Sequence, residues 1–223
     1  MAVAVMDRSM RLDRFLTEMG IGSRSQVKDM ARKGRIQVNG VTVKKTNEKI
    51  EPDRDMVTCD GIKVDYAEDE YYMLNKPQGV VSATEDNLHE TVIDLIRKKP
   101  AKQKGSLEEE ENQACRPKRS DLFPVGRLDI DTEGLLLITN DGELAHRLLS
   151  PRYHVDKTYY ARIRGRVTNE DVERFAEGVN IGEDGKEERT MPGVLALISS
   201  AEESQIRLTI QEGKYHQVKR MFL

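Results

Sequence analysis

The fold is decided by residues 123–142, which read FPVGRLDIDTEGLLLITNDG. A glycine, an arginine and two carboxylates lie within residues 126–131, and four apolar residues follow at 135–138. This order predicts a charged loop that a buried strand holds in place. Side chains on a supported loop keep the fixed geometry that catalysis requires. Asp129 is therefore a candidate nucleophile, although the stretch by itself favours a turn whose charges face water.

Charge is distributed unevenly along the chain. The 223 residues suffice for one large domain or for a small and a medium one, and the overall net charge is −3. Residues 8–49 nevertheless hold eleven Lys or Arg against four Asp or Glu, which is a net charge of +7. Such local asymmetry indicates a nucleic-acid-binding module.

Cysteine usage and hydropathy argue against several other classes of protein. Cys59 and Cys115 are far apart and belong to no CxxC pattern, so neither a disulfide framework nor a metal site is expected. The apolar start at 2–5 is too short for a signal peptide, and no apolar run reaches membrane length. We expect a cytoplasmic monomer without a membrane partner.

The amino-terminal part predicts two short basic helices followed by a hairpin. Apolar residues recur at helical spacing over 12–19, and a second helix is expected at 26–33 with Ser23 or Ser25 as its cap. Asn39-Gly40 between two alternating segments predicts a tight β-turn. Cations expected to contact RNA phosphates, with a solvated basic face as the alternative, are Arg11, Arg24, Lys28, Arg32, Lys33 and Arg35.

This part of the chain resembles the small RNA-binding fold, called the αL motif, of a small-subunit ribosomal protein and of several RNA-modifying enzymes. The matching segments are residues 11–13, 22–25, 34–40 and 52–55. The resemblance implies an RNA-binding domain over residues 8–64. The polar, acidic stretch at 65–70 is expected to be a linker.

The rest of the chain intersperses strands and helices without regular alternation. Strands are expected from 71 to the Pro-x-Gly turn at 77–79, at 157–165, at 194–198 and at 205–210, and helices at 91–99, 143–149 and 169–178. Residues 100–120 lack periodicity and predict a mobile surface loop. The pattern favours an α+β fold with a largely antiparallel sheet over residues 68–223.

Three segments of this second part carry candidate chemistry, namely 126–129, 157–159 and 213–220. An acid, an aromatic ring and several cations together suit an anionic polymer whose base stacks on the tyrosine. With residues 72–79 and 126–134, these segments resemble the pseudouridine synthases that modify ribosomal RNA. The resemblance is closest to the small-subunit (16S) enzymes, and the large-subunit (23S) enzymes remain an alternative.

The resemblance implies that one uridine is isomerised without a metal or a cofactor. The N-glycosidic bond breaks, the uracil rotates, and a carbon–carbon bond to the ribose forms. Asp129 is then the nucleophile, with attack on the ribose and attack on the uracil ring both open. Tyr159 packs on the target base and helps remove a proton, and Lys214 keeps the carboxylate ionised. The base must first leave its stack, at a cost of roughly a few kcal/mol.

Other residues are given supporting roles. Arg127 would hold the flipped nucleotide or its phosphate, and further expected RNA contacts are Lys76, Lys157, Lys219 and Arg220. Asp131 is expected to structure the loop, His216 to be structural, and Tyr160 to belong to the core.

Two functions from other classes remain open on the sequence. A non-catalytic RNA-binding or ribosome-assembly factor would keep the same fold. An RNA methyltransferase is disfavoured, because the chain offers no glycine-rich strand–helix turn for a nucleotide-like cofactor. The family resemblance also leads us to expect a further strand-containing segment after Leu223, unless the protein lacks that end.

Overall fold

The computed structural model describes residues 9–98, 117–183 and 185–223. They form two compact units, one of the described residues up to Asp141 and one from Gly142 onwards. Within the described ranges, no helix combines the length and the apolar character needed to cross a membrane. Paired strands in these ranges run antiparallel and helices separate them, which confirms the predicted α+β class.

The amino-terminal part of the first unit is a small module of helices and short strands. Its elements are β1 (Met10–Arg11), α1 (Leu12–Glu18), α2 (Arg24–Arg32), β2 (Ile36–Val38), β3 (Val41–Thr42), β4 (Lys49–Ile50), β5 (Val57–Cys59) and β6 (Ile62–Lys63). One sheet has the order β3-β2-β5-β6, and β1 pairs with β4. Both helices bury apolar side chains in one core with this sheet, including Phe15, Leu16, Val27 and Ile36.

Local sequence sets the ends of these elements. Ser23 caps α2, because its hydroxyl accepts the backbone N–H of Gln26 at 3.3 Å while the Gln26 side chain accepts the N–H of Ser23 at 2.8 Å. Asn39 and Gly40 join β2 to β3 with φ of +50° and +78°. A two-residue hairpin loop favours positive φ at both positions, which Asn and Gly tolerate best. The predicted helix cap and hairpin are both confirmed.

The rest of the first unit is a three-stranded sheet backed by a helix. Its elements are β7 (Tyr71–Lys76), α3 (Val92–Arg97), β8 (Phe123–Val125) and β9 (Gly134–Thr139), with β9 between the other two strands. Leu136 and Ile138 of β9 share a core with Val92 and Ile93 of α3. The loop at 126–133 joins β8 to β9, so its two ends start from neighbouring strands.

The second unit is another three-stranded sheet with helices. Its elements are α4 (Gly142–Leu149), a 3₁₀ turn (Pro151–Tyr153), β10 (Lys157–Arg164), α5 (Asn169–Glu177), β11 (Val194–Ser199), β12 (Glu203–Ile210) and α6 (Gln217–Arg220), and the sheet order is β10-β12-β11. Tyr159 packs against the core, whereas Tyr160 is 58% exposed. Our assignment of Tyr160 to the core is wrong, because strand alternation turns Tyr159 to that face.

Two stretches expected to be loose are bonded to each other. The carboxylate of Glu70, in the predicted linker at 65–70, accepts the backbone N–H of Arg119 at 2.9 Å. Arg119 is only 6% exposed, so the mobile loop predicted at 100–120 is wrong at its carboxyl end. Residues 100–116 of that prediction lie outside the described residues. Attraction between an acidic segment and a basic one 49 residues away leaves no local pattern in the sequence.

Candidate active site

The loop at 126–133 begins with a glycine, and a second glycine follows its last residue. Both adopt backbone conformations that other residues rarely adopt. Gly126 has a φ of +92° and Gly134, the first residue of β9, a φ of +123°. Between them, the backbone N–H of Thr132 donates to the carbonyl of Asp129 at 3.0 Å, which closes a tight turn. Asp129 is half-buried at the start of this turn.

Lys76, the last residue of β7, is fully buried beneath the loop. Its ammonium donates to the carbonyls of Asp129, Thr132 and Pro77 at 3.0, 2.8 and 3.0 Å, and lies 3.4 Å from that of Ile130. Burial lowers the pKa of Lys76, and the negative charges of the loop oppose that change. The phosphate contact that we predicted for Lys76 is wrong, because its charge is used inside the protein to hold the loop backbone.

Ser82 supports the same loop at a second point. Its hydroxyl donates to the carbonyl of Leu128 at 2.9 Å and accepts the Leu128 N–H at 3.1 Å. The N–H of Gly79 donates to the carbonyl of Ile130 at 2.8 Å. The backbone is therefore fixed on both sides of Asp129. Sequence reasoning missed Ser82, since nothing around it indicates a partner 46 residues away.

The loop presents its other charges to solvent. Arg127, Asp131 and Glu133 are all exposed. An exposed guanidinium two residues from a half-buried carboxylate suits recognition of a phosphate beside the reacting nucleotide, because the planar fork matches phosphate oxygens. The predicted role of Arg127 is compatible with this position and remains a prediction.

In the second unit, Lys214 belongs to a polar cluster in the segment that follows β12. Its ammonium donates to the carbonyl of Arg189 at 2.5 Å and lies 3.9 Å from the carboxylate of Glu212. Glu212 is 6% exposed and accepts the Gln217 amide at 2.9 Å, while Gln217 accepts the N–H of Lys214 at 2.8 Å. Sequence reasoning gave no role to Glu212 or Gln217, yet together they hold the segment that carries Lys214.

The two other predicted RNA contacts of this segment differ in exposure. Arg220 donates to the carbonyl of Ile181 and pairs with Glu188, both at 2.6 Å, which leaves 12% of its side chain exposed. Little of it is available to a phosphate. Lys219 is exposed, as a phosphate contact requires.

Lys157 and Tyr159 lie on one face of β10. Both are half-buried, and the Lys157 ammonium donates to the carbonyl of Val155 at 3.1 Å. Tyr159 stands opposite Leu208 of β12 and packs against the core of the second unit. Asp129 belongs to the first unit, so its joint action with Tyr159 remains a prediction from the sequence.

The six predicted RNA-contacting cations of the amino-terminal module are all exposed. Three are paired within the module, namely Arg11 with Asp13, Lys33 with Asp29 and Arg35 with Asp60. Arg24, Lys28 and Arg32 make no ion pair with another described residue. They follow at four-residue spacing along α2, so they form one row on the helix surface, here named the basic ridge.

Comparisons with known proteins agree with this architecture. The RNA pseudouridylate synthase family model matches residues 70–223, and the S4 domain model matches residues 10–55. A solved structure described as a pseudouridylate synthase is 33% identical, covers 96% of this chain and 82% of its own, and superposes with a TM-score of 0.54.

Three relatives extend the likeness over almost the whole chain. YtzG of Bacillus subtilis (strain 168), an uncharacterized RNA pseudouridine synthase, is 45% identical over 95% of this chain and 81% of its own. Ribosomal large subunit pseudouridine synthase B of the same organism is 34% identical over 95% and 79%. Ribosomal small subunit pseudouridine synthase A of Escherichia coli (strain K12) is 37% identical over 96% and 82%. The chain therefore belongs to the RNA pseudouridylate synthase family, with an S4 RNA-binding domain ahead of the synthase domain.

Proposed function

We propose that the protein converts one uridine of small-subunit (16S) ribosomal RNA into pseudouridine, with Asp129 as the nucleophile. The observation that carries the proposal is the support of Asp129, whose flanking backbone is bonded to Lys76 and Ser82. A carboxylate in fixed geometry is what attack on a bound nucleotide requires. The uracil N1–C1′ bond breaks and a C5–C1′ bond forms, and the proton lost from C5 is balanced by one gained at N1.

The two other candidate catalytic residues act on the same nucleotide in this proposal. Tyr159 offers a ring, held by core packing, against which the target uracil lies. Lys214 supplies positive charge that favours the ionised nucleophile, and its ammonium is already held by Arg189 and Glu212. Arg127 binds the phosphate of the flipped nucleotide, and Lys157 and Lys219 contact the RNA around it.

Binding of the RNA is assigned chiefly to the amino-terminal domain, which we place at residues 8–64, ahead of a catalytic domain at 68–223. The basic ridge on α2 presents three exposed cations at helical spacing. Such a row can contact the phosphates of an RNA helix, and these contacts do not read the RNA sequence. We expect a monomer that acts on 16S RNA in an assembly intermediate, in the cytoplasm.

The assignment of Asp129 as the nucleophile is tested by release of tritium from 16S RNA that is transcribed with [5-³H]UTP and supplied both free and in the assembly intermediate. Asp129→Asn keeps the shape of the side chain and is expected to lower the rate by about 10⁴-fold or more. Asp131→Asn makes the same change two residues away and is expected to stay within about threefold of wild type. An active Asp129→Asn would contradict the assignment. A wild-type protein that binds both ribosomal RNAs and modifies neither, as free RNA or in assembly intermediates, would be an RNA-binding factor.

The target subunit is decided by mapping pseudouridines in 16S and 23S RNA from cells with and without the gene. The small subunit is proposed because residues 76–79, 130–132 and 214–222 resemble the small-subunit enzymes most closely. Loss of a single pseudouridine from 16S RNA would support the proposal. Loss from 23S RNA instead would assign the protein to the large subunit.

A further inference from the structure

Arg119 connects three segments of the first unit through one guanidinium group. Its Nη1 donates to the carbonyl of Ala67 at 2.9 Å, and its Nη2 lies 3.0 Å from the carboxylate of Glu18 in α1. Its Nε and Nη2 bind the two carboxylate oxygens of Asp121 at 2.8 and 2.7 Å. Arg119 thereby joins the last turn of α1, the stretch after the S4 module, and the segment that leads into β8.

The neighbouring serine closes the end of α1. The backbone N–H of Ser120 donates to the carbonyl of Glu18 at 2.8 Å, and the Ser120 hydroxyl donates to that of Thr17 at 2.8 Å. The last carbonyls of a helix have no partner within it and must find one elsewhere. The Thr17 carbonyl also accepts the N–H of Gly20 at 3.1 Å, whereas the Glu18 carbonyl is bonded to Ser120, 102 residues away along the chain. The end of α1 is therefore completed by a segment from the second part of the chain.

Apolar packing reinforces this connection. The ring of Tyr66 stacks on that of Phe15, with 5.9 Å between the ring centroids and 25° between their planes. Gly20 follows α1 at a φ of +71°, and a Cβ at this position would lie 3.6 Å from the Cβ of Ser120. The contacts of Glu18, Tyr66, Ala67, Arg119, Ser120 and Asp121 are here named the joint.

The arginine side chain fixes the orientation of the segments that it joins, in addition to holding them together. The guanidinium is planar and its five N–H groups form a rigid fork, so three partners fix its orientation. Its hydrogen bonds with Asp121 raise the pKa of Arg119, so the group stays charged at every accessible pH. A lysine would keep the charge but could not bind Asp121 through two parallel bonds.

We propose that Arg119 is a positioning residue, which holds the S4 module at one place against the sheet that carries the catalytic loop. The RNA helix is bound at the basic ridge, and the reacting uridine must reach Asp129. Both belong to the first unit, so a rigid joint sets the distance between them. The enzyme then selects uridines that lie at one spacing from the bound helix. This selection rests on the proposed function, whereas the rigidity of the joint does not.

The rigidity is tested by the distance distribution between two spin labels. Val41→Cys in the module and Met73→Cys in β7 are 68% and 81% exposed positions, and they are labelled in a chain with Cys59→Ala and Cys115→Ser. We expect one narrow distribution in this parent chain and a broad one after Arg119→Met. A broad distribution in the parent, or an unchanged one after Arg119→Met, would overturn the proposal.

Matched variants distinguish a specific loss of the joint from a general loss of stability. Arg147→Ala removes an exposed arginine paired with Glu143 at 3.5 Å, far along the chain, and should leave the distribution narrow. Arg119→Lys should broaden it, because charge without the fork cannot orient the module. Should Arg119→Met fail to fold, Glu18→Gln removes one anchor while keeping its shape, and is expected to broaden the distribution to a smaller degree.

The selection is tested with stem-loops cut from 16S RNA around the mapped uridine, with zero to three base pairs inserted between the loop and the adjoining helix. We expect wild type to lose activity on the lengthened RNAs. Arg119→Met should raise KM on the original RNA about tenfold and leave kcat unchanged. This is the effect expected when the module is correctly placed about a tenth of the time. Its preference among the RNAs should disappear.

The possible outcomes show whether the positioning role of Arg119 or the proposed function is wrong. An equal loss on every RNA, or an unchanged preference, would reduce Arg119 to a structural residue and overturn the proposal. Absence of pseudouridine formation by wild type on the stem-loops and on the 16S assembly intermediate alike would refute the proposed function instead. The spin-label distances would in that case still support or overturn the joint.

Discussion

Lys76→Met is the substitution that tests most directly how the loop at 126–133 is held in place. Methionine is close to lysine in length and volume, so the fully buried site stays filled. What disappears is the ammonium that donates to the carbonyls of Asp129, Thr132 and Pro77 at 2.8–3.0 Å. These three short contacts match the three protons of an ammonium group, so each carbonyl loses one hydrogen bond. The Asp129 carbonyl keeps the bond from the Thr132 N–H at 3.0 Å.

The expected loss of folding free energy in Lys76→Met is the sum of opposing contributions. Hydrogen bonds to a charged group contribute about 1.5–3 kcal/mol each, and three are lost. The loss is offset in part because the burial that lowers the pKa of Lys76 also costs free energy, which methionine avoids. Removing one partner of a buried charged network typically costs about 3–5 kcal/mol, and we expect the lower end. About 3 kcal/mol corresponds to roughly a 100-fold smaller population of correctly placed loops.

Two measurements check this expectation. Urea unfolding should show the loss of stability, and single-turnover tritium release should show kcat reduced about 100-fold with KM within about threefold, since a loop displaced by about 1 Å costs that much. Lys63→Met is the control, because Lys63 is exposed and pairs with the exposed Asp65 at 3.0 Å. Were Lys76 a phosphate contact, Lys76→Met would instead raise KM, spare kcat and reduce the salt dependence of binding. That result would refute the reasoning.

Three further predictions follow from the structure. Replacing the three cations of the basic ridge with glutamine should lower the slope of log affinity against log salt by about 2–3 in filter-binding assays, with single-turnover rates at saturating RNA retained. The hydrogen bond from Arg11 lowers the pKa of Asp13 below its ordinary value of 3.8, so the ionised form stabilises the fold fully above about pH 4. The gap in melting temperature between wild type and Asp13→Asn should therefore be constant above that pH and close as the pH falls through the lowered pKa. Gly178→Ala should cost about 3 kcal/mol in urea unfolding, because its Cβ would lie 2.3 Å from the carbonyl oxygen of Thr190 at a φ of +84°. Gly185→Ala, at a φ of +75° with no described residue beyond its chain neighbours within 4 Å of the added Cβ, should cost only about 1 kcal/mol.

Elements whose determinants lie within a few residues were predictable from the sequence. The capping box of Ser23 and Gln26 spans four residues, and the Asn39-Gly40 hairpin loop spans two. The strand at 134–139 follows from its apolar run, which also identified the loop before it. In each case a side chain or a φ angle acts on its own neighbourhood, so the order of residues contains the answer.

The fate of individual charges was decided only by the tertiary structure. In the sequence, Lys76 is a cation after a strand, as suitable for a phosphate as Arg127. Strand register places Lys76 opposite Gly134, the residue that follows the loop, and the loop carbonyls of Asp129 and Thr132 lie at 3.0 and 2.8 Å from the Lys76 ammonium. The ammonium is therefore buried among carbonyls, while Arg127 stays exposed.

The sequence by itself thus determined the α+β class, the S4-type module, the family resemblance and the loop that carries Asp129. Only the tertiary structure decided which groups hold that loop and the module. Ser82 finds Leu128 at a separation of 46 residues, and Ser120 finds Thr17 at 103. Hydrogen bonds of this range depend on where the chain returns in space, which the residues next to each serine do not determine.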